Sequence, residues 1–342
     1  MAELRKILYP FALLYELIIL LRNFLYEKGI FKAAQFKTPS ICVGNLNVGG
    51  SGKTPFLSLL IDHYQKEKRL AVLSRGYKRK TTGFKKVNKV DSATEVGDEP
   101  LQFKLQFPDI NVAVDEKRAN GMYQLENELT PELILLDDAF QHRAVKADIN
   151  ILLTLYNKPF PDDMLLPAGD LREPSSGAQR ADIIVVTKAP LDLSLKERHR
   201  LKKKVQAFDE QPVFFSHIDY ADEVIGREKK IALTELNDFT LVTGIAHPGP
   251  LVDHLNERKK EFRHLRFTDH HVFTRNELEN IKAAQPVLTT QKDFMRLKDQ
   301  TDIQEIYYLP IRFRILGEEQ RFFKLLNDRL EEKARTSFSS DR

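Results

Sequence analysis

From Ile41 to Phe56 the chain reads Ile-Cys-Val-Gly-Asn-Leu-Asn-Val-Gly-Gly-Ser-Gly-Lys-Thr-Pro-Phe. A short apolar strand, a glycine-rich loop and a Gly-Lys-Thr opening a helix together suit one chemical task, holding a triphosphate. Gly49, Gly50 and Gly52 free the backbone to turn its N–H groups inward around an anion. The helix N-terminus adds partial positive charge at the same spot. Lys53 is then placed to reach the β- and γ-phosphates, and the Thr54 hydroxyl to ligate Mg²⁺. Asn47 stands where the usual pattern has its first glycine. Asparagine tolerates the left-handed backbone conformation, so the loop is expected to close through Asn47, Val48 and Ser51 as well. The plainer alternative, a glycine-rich turn with a chance Lys-Thr, fits the strand–loop–helix context less well. ATP and Mg²⁺ are the expected ligands.

Carboxylates supply the rest of the chemistry. Leu133-Ile-Leu-Leu is an apolar strand ending in Asp137-Asp138. At such an edge one Asp can hold Mg²⁺ through water while the other orients partners, although paired acids also cap helices. The following Gln141-His142-Arg143 is apt for phosphate contacts. Gly97-Asp98-Glu99-Pro100 reads as a tight turn carrying two acids. An Asp within reach of a hydroxyl acceptor can take its proton, though Asp-Glu-Pro also opens ordinary helices. Ser74-Arg75-Gly76-Tyr77 and the constrained loop Leu166–Pro174, with Arg172 and Glu173 side by side, fit the same edge and fit surface turns equally. Asp269-His270-His271 is thin as a metal site, because adjacent histidines diverge on an extended chain. A histidine paired with a carboxylate across a cleft and a helix-capping loop both suit it.

These residues need a sheet to hold them. From residue 39 onward apolar strands (40–44, 69–74, 110–114, 132–136, 149–154, 182–187, 212–217) alternate with amphipathic helical patterns near 54–67 and 116–128. That alternation predicts an α/β fold: a P-loop NTPase-type parallel sheet with helices on both faces. Ligands should gather at the strands' C-terminal edge. A second series, with strands at 239–245, 263–267, 286–290 and 306–313, predicts a smaller C-terminal α/β domain. The expected organisation is 1–32 as an N-terminal helix, 33–220 as the kinase-type domain, 221–333 as the smaller domain closing over the site, and 334–342 as a disordered tail. The linker is placed at 218–232, which is charged and patternless.

Residues 1–32 stand apart. Arg5, Ala12, Glu16, Asn23 and Glu27 line one narrow helical stripe, and Leu, Ile, Phe and Tyr cover the rest. The uncharged run looks too short to span a bilayer, and no small-residue cleavage site follows it. The profile is that of an amphipathic helix lying in a membrane interface, with packing against its own domain or a second subunit as the alternative. The basic run from Lys78 to Lys86 could meet anionic headgroups or form a solvated loop.

A net charge of +4 suits anionic ligands without demanding nucleic acid, and no aromatic platform interleaves the basic residues. The sole cysteine, Cys42, lies inside the strand feeding the loop and reads as a small buried hydrophobe in a reducing compartment. Asn88-Lys-Val-Asp91 matches the guanine-specificity pattern of GTPases, but it precedes the Asp-Asp strand and sits in a polar basic run. Thr187-Lys-Ala-Pro190 lies where a base-contacting loop belongs and lacks the guanine-binding Asp, so ATP is favoured.

In their order along the chain these motifs resemble the tetraacyldisaccharide 4'-kinase family, the lipid A 4'-kinases of Gram-negative bacteria. The resemblance rests on the apolar first helix, Val-Gly-Asn-Leu-Asn-Val-Gly-Gly-Ser-Gly-Lys-Thr-Pro, Leu-Ser-Arg-Gly-Tyr, Val-Gly-Asp-Glu-Pro, Asp-Asp-Ala-Phe-Gln-His, Gly-Asp-Leu-Arg-Glu-Pro, Asp-His-His and Thr-Gln-Lys-Asp-Phe. Ala139 departs from the family's usual glycine, and Thr-Gln-Lys-Asp-Phe from its usual Thr-Glu-Lys-Asp-Ala; neither change removes a charged catalytic group. The resemblance implies transfer of the γ-phosphate of ATP to the 4'-hydroxyl of tetraacyldisaccharide 1-phosphate, giving lipid IVA. It implies Asp98 as general base oriented by His270, Lys53 and Thr54 on the triphosphate and Mg²⁺, and Asp138 as the metal's carboxylate with Asp137 beside it. Arg75, Tyr77, Glu99, Gln141, Arg172 and Glu173 would support the site. The expected setting is peripheral, on the cytoplasmic face of the bacterial inner membrane, with a membrane lipid as substrate and no obligate protein partner. A membrane-associated nucleotide switch and a nucleotide-binding scaffold without turnover are the rival readings.

Overall fold

The computed structural model describes residues 5–269, 271–298 and 302–339. Helix α1 (Tyr9–Glu27) precedes strand β1 (Ser40–Asn45) and helix α2 (Lys53–Tyr64). The chain continues through β2 (Leu70–Ser74), β3 (Lys85–Lys86), α3 (Ala93–Val96), α4 (Asp98–Gln106), β4 (Asn111–Val114), α5 (Arg118–Leu129), β5 (Leu133–Asp137) and β6 (Ile149–Leu155). Then come β7 (Ile183–Thr187), α6 (Leu195–Val205), β8 (Val213–Tyr220), β9 (Glu223–Gly226), β10 (Lys230–Ala232), β11 (Phe239–Thr243) and α7 (Gly249–Glu257). The last stretch holds β12 (Phe262–Arg266), α8 (Arg275–Ala283), β13 (Val287–Thr289), α9 (Gln291–Leu297), β14 (Ile306–Tyr308), β15 (Ile311–Ile315) and α10 (Glu319–Ser339).

A nine-stranded sheet runs in the order β15-β8-β7-β6-β1-β5-β2-β4-β3. Its inner strands are parallel, and β15 and β3 close the edges antiparallel. The alternation of apolar side chains on β1 explains why both faces are covered. Ile41 and Val43 point into one core with Phe56 of α2, while Cys42 points into the other with Met122 of α5. Strand β1 lies between β5 and β6, the place where consecutive connections diverge and a ligand crevice forms. A six-stranded sheet, β10-β9-β14-β13-β11-β12, makes the second unit.

Three expectations need correction. Residues 218–232 are not a bare linker: β9 and β10 add antiparallel to the edge of the second sheet. They are short and charged, which hides their alternation. The stretch 306–313 is not one strand either. Leu309-Pro310 interrupts it, and beyond the proline β15 crosses to the first sheet and pairs with β8. Helix α10 follows, setting Phe322 against Phe56 and Phe214 at centroid distances of 6.0 and 5.1 Å. Tyr64 Oη also donates to Asn327 Oδ1 at 2.9 Å. Residues 311–333, expected in the smaller domain, therefore pack with the P-loop sheet. The supposed disordered tail is helical to Ser339, and 340–342 lie outside the described residues.

Helix α1 docks by a face wider than the stripe read from the sequence, sharing Ala12 with it and adding Tyr15, Ile19 and Arg22. Ala12 and Ile19 are buried, Tyr15 donates to the carbonyl of Arg172 at 2.8 Å, and Arg22 donates to the carbonyl of Gln141. The opposite surface, including Leu14, Leu17, Ile18 and Leu21, is 57–63% exposed. By length and composition alone α1 is long and apolar enough to cross a membrane, which the expectation of a short uncharged run had denied. The basic run is used within the chain: Lys85 meets Asp91 at 3.0 Å, Lys86 meets Glu128 at 2.7 Å and Arg79 meets Glu116 at 2.5 Å.

Candidate active site

The P-loop leaves the C-terminal end of β1 and enters α2 at Gly52, whose φ of +87° caps the helix in the left-handed conformation. A side chain there would also strike the Phe313 ring, 2.5 Å from an ideal Cβ. Gly49 has a φ of +108°, and a Cβ on it or on Gly50 would meet nothing within 4 Å. That open backbone is what an anion cradle requires. Asn47 does not take the left-handed conformation expected of it. It forms a bridge with Leu171 and donates from Nδ2 to Asp163 Oδ2 at 2.8 Å, so it fastens the loop sideways. Val48 adds a backbone bond to the Asp170 carbonyl at 2.7 Å. On the other side Lys188 Nζ donates to the carbonyl of Gly50 at 3.0 Å, and Thr187 Oγ1 to that of Ser51 at 2.7 Å.

Strands β1 and β5 are in register with Val43 opposite Asp137, which delivers the two acids to the loop. The pair then splits. Asp137, buried, accepts from Ser74 Oγ at 2.8 Å, and burial with the nearby charges of Glu99 and Asp138 pushes its carboxyl up to about 7. Asp138 turns at a φ of +46° and meets Lys53 Nζ at 3.5 Å and Arg172 Nη2 at 2.9 Å. Burial alone would raise its carboxyl, but Lys53 and Arg172 outweigh that and hold it well below the usual range. Arg172 and Lys53 also converge on Asn45 Oδ1, at 2.6 and 3.0 Å. Gln141 Nε2 donates to the Asn45 carbonyl at 2.8 Å and to Glu173 Oε1 at 2.9 Å, and Arg180 Nη2 closes on Glu173 Oε2 at 2.8 Å.

Asp98 and Glu99 are the first residues of α4, so the expected free turn is a helix start. Gly97 ahead of them has a φ of +95°, and an ideal Cβ on it would lie 3.0 Å from Gly76 Cα. The Arg75–Tyr77 and Gly97–Asp98 segments therefore touch backbone to backbone, beside Ser74 and Asp137. Arg75 and Tyr77 have exposed side chains at this rim. Asp98 Oδ2 accepts from Arg296 Nε and Nη2 of α9, at 3.0 and 2.7 Å.

The histidine expected beside Asp98, His270, lies outside the described residues. His271 is committed elsewhere: its Nε2 is 2.9 Å from Glu277 Oε2, the acid of the α8 capping box, and its ring stacks on Phe267 at 4.9 Å. Arg143, expected at the phosphates, is engaged with α1. Its Nη1 donates to the Asn23 carbonyl of α1 at 3.1 Å. Sequence reasoning missed Asn45, Arg118, Arg180 and Arg296. Arg118 Nη2 donates to the Asp137 carbonyl at 3.2 Å. Asn45 lies inside the loop motif without a role of its own there, and Arg118, Arg180 and Arg296 lie in none; Arg296 meets Asp98 from 198 residues away, whereas Arg180 meets Glu173 from only seven.

Whether the site suits a magnesium triphosphate can be tested on unused polar atoms. Ser51 Oγ in the loop, Arg172 Nε, Arg118 Nε and Gln141 Oε1 are buried without a protein partner. Buried polar atoms of this kind call for a ligand or water. Thr54 in the first turn of α2 and the ionised Asp138 offer hard oxygen donors. No cluster of three metal-ligating side chains occurs among the described residues. That set fits Mg²⁺, which takes one or two protein oxygens and completes its shell with phosphate and water.

A family model described as tetraacyldisaccharide-1-P 4'-kinase matches residues 4–331. The tetraacyldisaccharide 4'-kinase of Flavobacterium johnsoniae is 46% identical over 325 residues, covering 93% of this chain and 95% of that one. The Phocaeicola vulgatus protein of the same name is 40% identical over 357 residues, 98% of each. Among solved structures, LpxK from Aquifex aeolicus, crystallised in complex with ATP, matches with a TM-score of 0.77 at 32% identity, covering 96% of this chain and 99% of that one.

Proposed function

The chain belongs to the tetraacyldisaccharide 4'-kinase family, and on that premise we propose roles for the residues gathered at the end of β1. The protein is an ATP-dependent kinase of lipid A biosynthesis that phosphorylates the 4'-hydroxyl of tetraacyldisaccharide 1-phosphate. Residues Asn47 to Thr54 wrap the triphosphate, with Lys53 on the β- and γ-phosphoryl oxygens. Thr54 and Asp138 would hold Mg²⁺, which when bound would supply positive charge to offset that of the phosphates. Asp137, protonated in part and tied to Ser74, keeps its neighbour's backbone in place.

Asp98 accepts the proton of the 4'-hydroxyl as that oxygen bonds to the γ-phosphorus. The bond from phosphorus to the β,γ-bridging oxygen breaks, and ADP leaves with the electron pair. Because the transition state for such a transfer is loose, the protein's share is mainly positioning and electrostatics. The observation that carries this reading is Asp138 ionised between Lys53 and Arg172 at the mouth of an open glycine loop. Glu99, next to Asp98, is close enough to raise Asp137, which supports placing the base at the same mouth.

The substrate's acyl chains stay in a bilayer, so its kinase must come to the interface. Helix α1 turns its polar stripe to the protein and its apolar side outward, which supports a peripheral position at the cytoplasmic face of the inner membrane. The second unit is proposed to close over the site through α9. Incubation with γ-labelled ATP and the monophosphorylated disaccharide precursor tests the reaction. Label must appear in the lipid, and release of inorganic phosphate alone would favour the nucleotide-switch reading.

A further inference from the structure

We propose that Arg296 is a positioning residue for Asp98, holding its carboxylate with a guanidinium from the second sheet unit. The inference rests on the reading of Asp98 as the proton acceptor. Both donors of Arg296 fall on a single oxygen, Asp98 Oδ2, at 3.0 and 2.7 Å. Oδ1 has no bond from the described protein residues and is left for the acceptor hydroxyl. A carboxylate gripped at one oxygen by two N–H groups has its plane fixed, which is what an in-line attack needs.

The grip is itself braced. Arg296 Nη1 lies 3.4 Å from Asp293 Oδ1, and Asp293 is fully buried. Asp293 Oδ2 accepts from the Gly244 backbone N–H and from Thr290 Oγ1, both at 2.8 Å. A continuous chain of bonds thus runs from the end of β11 through Asp293 and Arg296 to the start of α4. Helix α9 also lies along α4 at the other end, where Gln291 Nε2 reaches Gln106 Oε1 at 3.4 Å and Leu105 joins the second unit's core. Two contacts, five residues apart on α9 and eight apart on α4, fix the angle of α9 against α4, so the guanidinium arrives with defined geometry.

Charge gives a second reason for an arginine here. Glu99, next to Asp98, is close enough for its charge to act on Asp137, and a triphosphate would bring more negative charge to the same mouth. A cation in contact with Asp98 offsets that repulsion. His271 is not available for the task, being held by Glu277.

The test compares Arg296→Ala, Arg296→Lys, Asp98→Asn and the Arg296→Ala/Asp98→Asn double variant of the full chain. ATP and lipid kinetics, thermal melts and added guanidinium chloride are the readouts. Arg296→Ala should lower kcat by about 10- to 100-fold, in the range of a displaced general base, with the KM for ATP within about twofold. Millimolar guanidinium should restore part of that loss. Arg296→Lys, which cannot place two donors on one oxygen, should be intermediate without restoration. In the Asp98→Asn background the arginine change should cost nothing further. Unchanged kcat in Arg296→Ala, an equal loss in the Asp98→Asn background, failure of guanidinium to act on a folded variant, or a raised kcat (an inhibitory latch) would each overturn the proposal. If Arg296→Ala does not fold, Arg296→Lys at native melting temperature decides, since wild-type kcat there rejects it. Wild-type turnover by Asp98→Asn would instead reject the base assignment itself.

Discussion

Lys53 Nζ lies 3.5 Å from Asp138 Oδ1, joining a helix start to a strand end that are distant in sequence and adjacent in the sheet. Arg172 approaches the same carboxylate at 2.9 Å, and both cations also donate to Asn45 Oδ1. The arrangement keeps Asp138 ionised while a third of its side chain stays exposed for a metal. Lys53→Ala is expected to reduce kcat by about 10²-fold or more, the scale of losing one preorganised electrostatic partner. Asp138→Asn should instead shift the Mg²⁺ concentration needed for half-maximal rate upward. Magnesium titrations of steady-state rate on both variants check this, and a Mg²⁺ curve unaltered in Asp138→Asn would remove that residue from the metal site.

How this site was readable in the sequence, and where it was not, follows from distance along the chain. The glycine loop and the Asp-Asp strand tip are local patterns, because each residue's role is set by neighbours within a few positions. Asn45 and Arg296 gain their roles from partners brought by other elements, Arg172 and Asp98, and a single sequence carries no mark of such pairings. Asn47 misled because a substitution for glycine suggests a backbone role, whereas its side chain is what acts. The strand alternation gave the parallel sheet, since both faces of β1 are covered and its residues are buried throughout, with Ile41, Cys42 and Val43 as its apolar run. It failed at β9, β10 and the β14–β15 break, where short charged edges and Pro310 erase the pattern.

Gly97 offers a direct test of how the start of α4 is held. Its φ is +95°, and a Cβ would sit 3.0 Å from the Gly76 backbone, which has no flexible side chain to yield. Gly83 has a φ of +73° with nothing within 4 Å of a Cβ, so it shares the backbone cost without the contact. Gly83→Ala should lose about 1 kcal/mol of stability for its positive φ, and Gly97→Ala at least that, since a φ of 95° with a ψ of 153° is open to glycine almost alone. Gly97→Ala should lose more, and should also lose turnover, because Asp98 moves with the displaced backbone. Denaturant unfolding and kcat measured on the pair decide, with equal behaviour of the two counting against a tight Gly97–Gly76 contact.

Helix α1 exposes Leu14, Leu17, Ile18 and Leu21 while Ala12 and Ile19 are buried. Serine at those four exposed positions removes apolar area from the outer side without touching the Tyr15, Arg22 and Arg143 contacts to the protein body. Vesicle affinity is expected to fall by roughly 10²-fold or more, since each exposed leucine or isoleucine is worth over a kcal/mol when buried in lipid. Turnover of detergent-dispersed substrate should persist. Sedimentation with anionic vesicles reports the first quantity, and full vesicle binding by the quadruple variant would shift the anchor elsewhere.

Cys42 sits on β1 directly behind the P-loop, 2% exposed, and its thiol is pushed from an ordinary 9.0 up to about 12 by burial first and then by the charge of Asp138. At pH 8 the native thiol should therefore resist an aromatic disulfide reagent that titrates it fully in denaturant. The same shift fixes the sign of an alkaline effect on stability. Between pH 9 and 12 the unfolded thiol loses its proton while the folded one keeps it, so the folded state binds more protons and its stability falls as pH rises. The slope from this group is at most about 1.4 kcal/mol per pH unit, with the full contribution present below pH 9. Lysines and tyrosines titrate across the same range, so the informative quantity is the difference between wild type and Cys42→Ala. Removing the sulfur leaves a small cavity that lowers stability at every pH, but it should flatten the decline above pH 9 relative to wild type. Parallel declines in the two proteins, or prompt labelling of native Cys42 at pH 8, would mean that the strand opens to water beneath the phosphate loop.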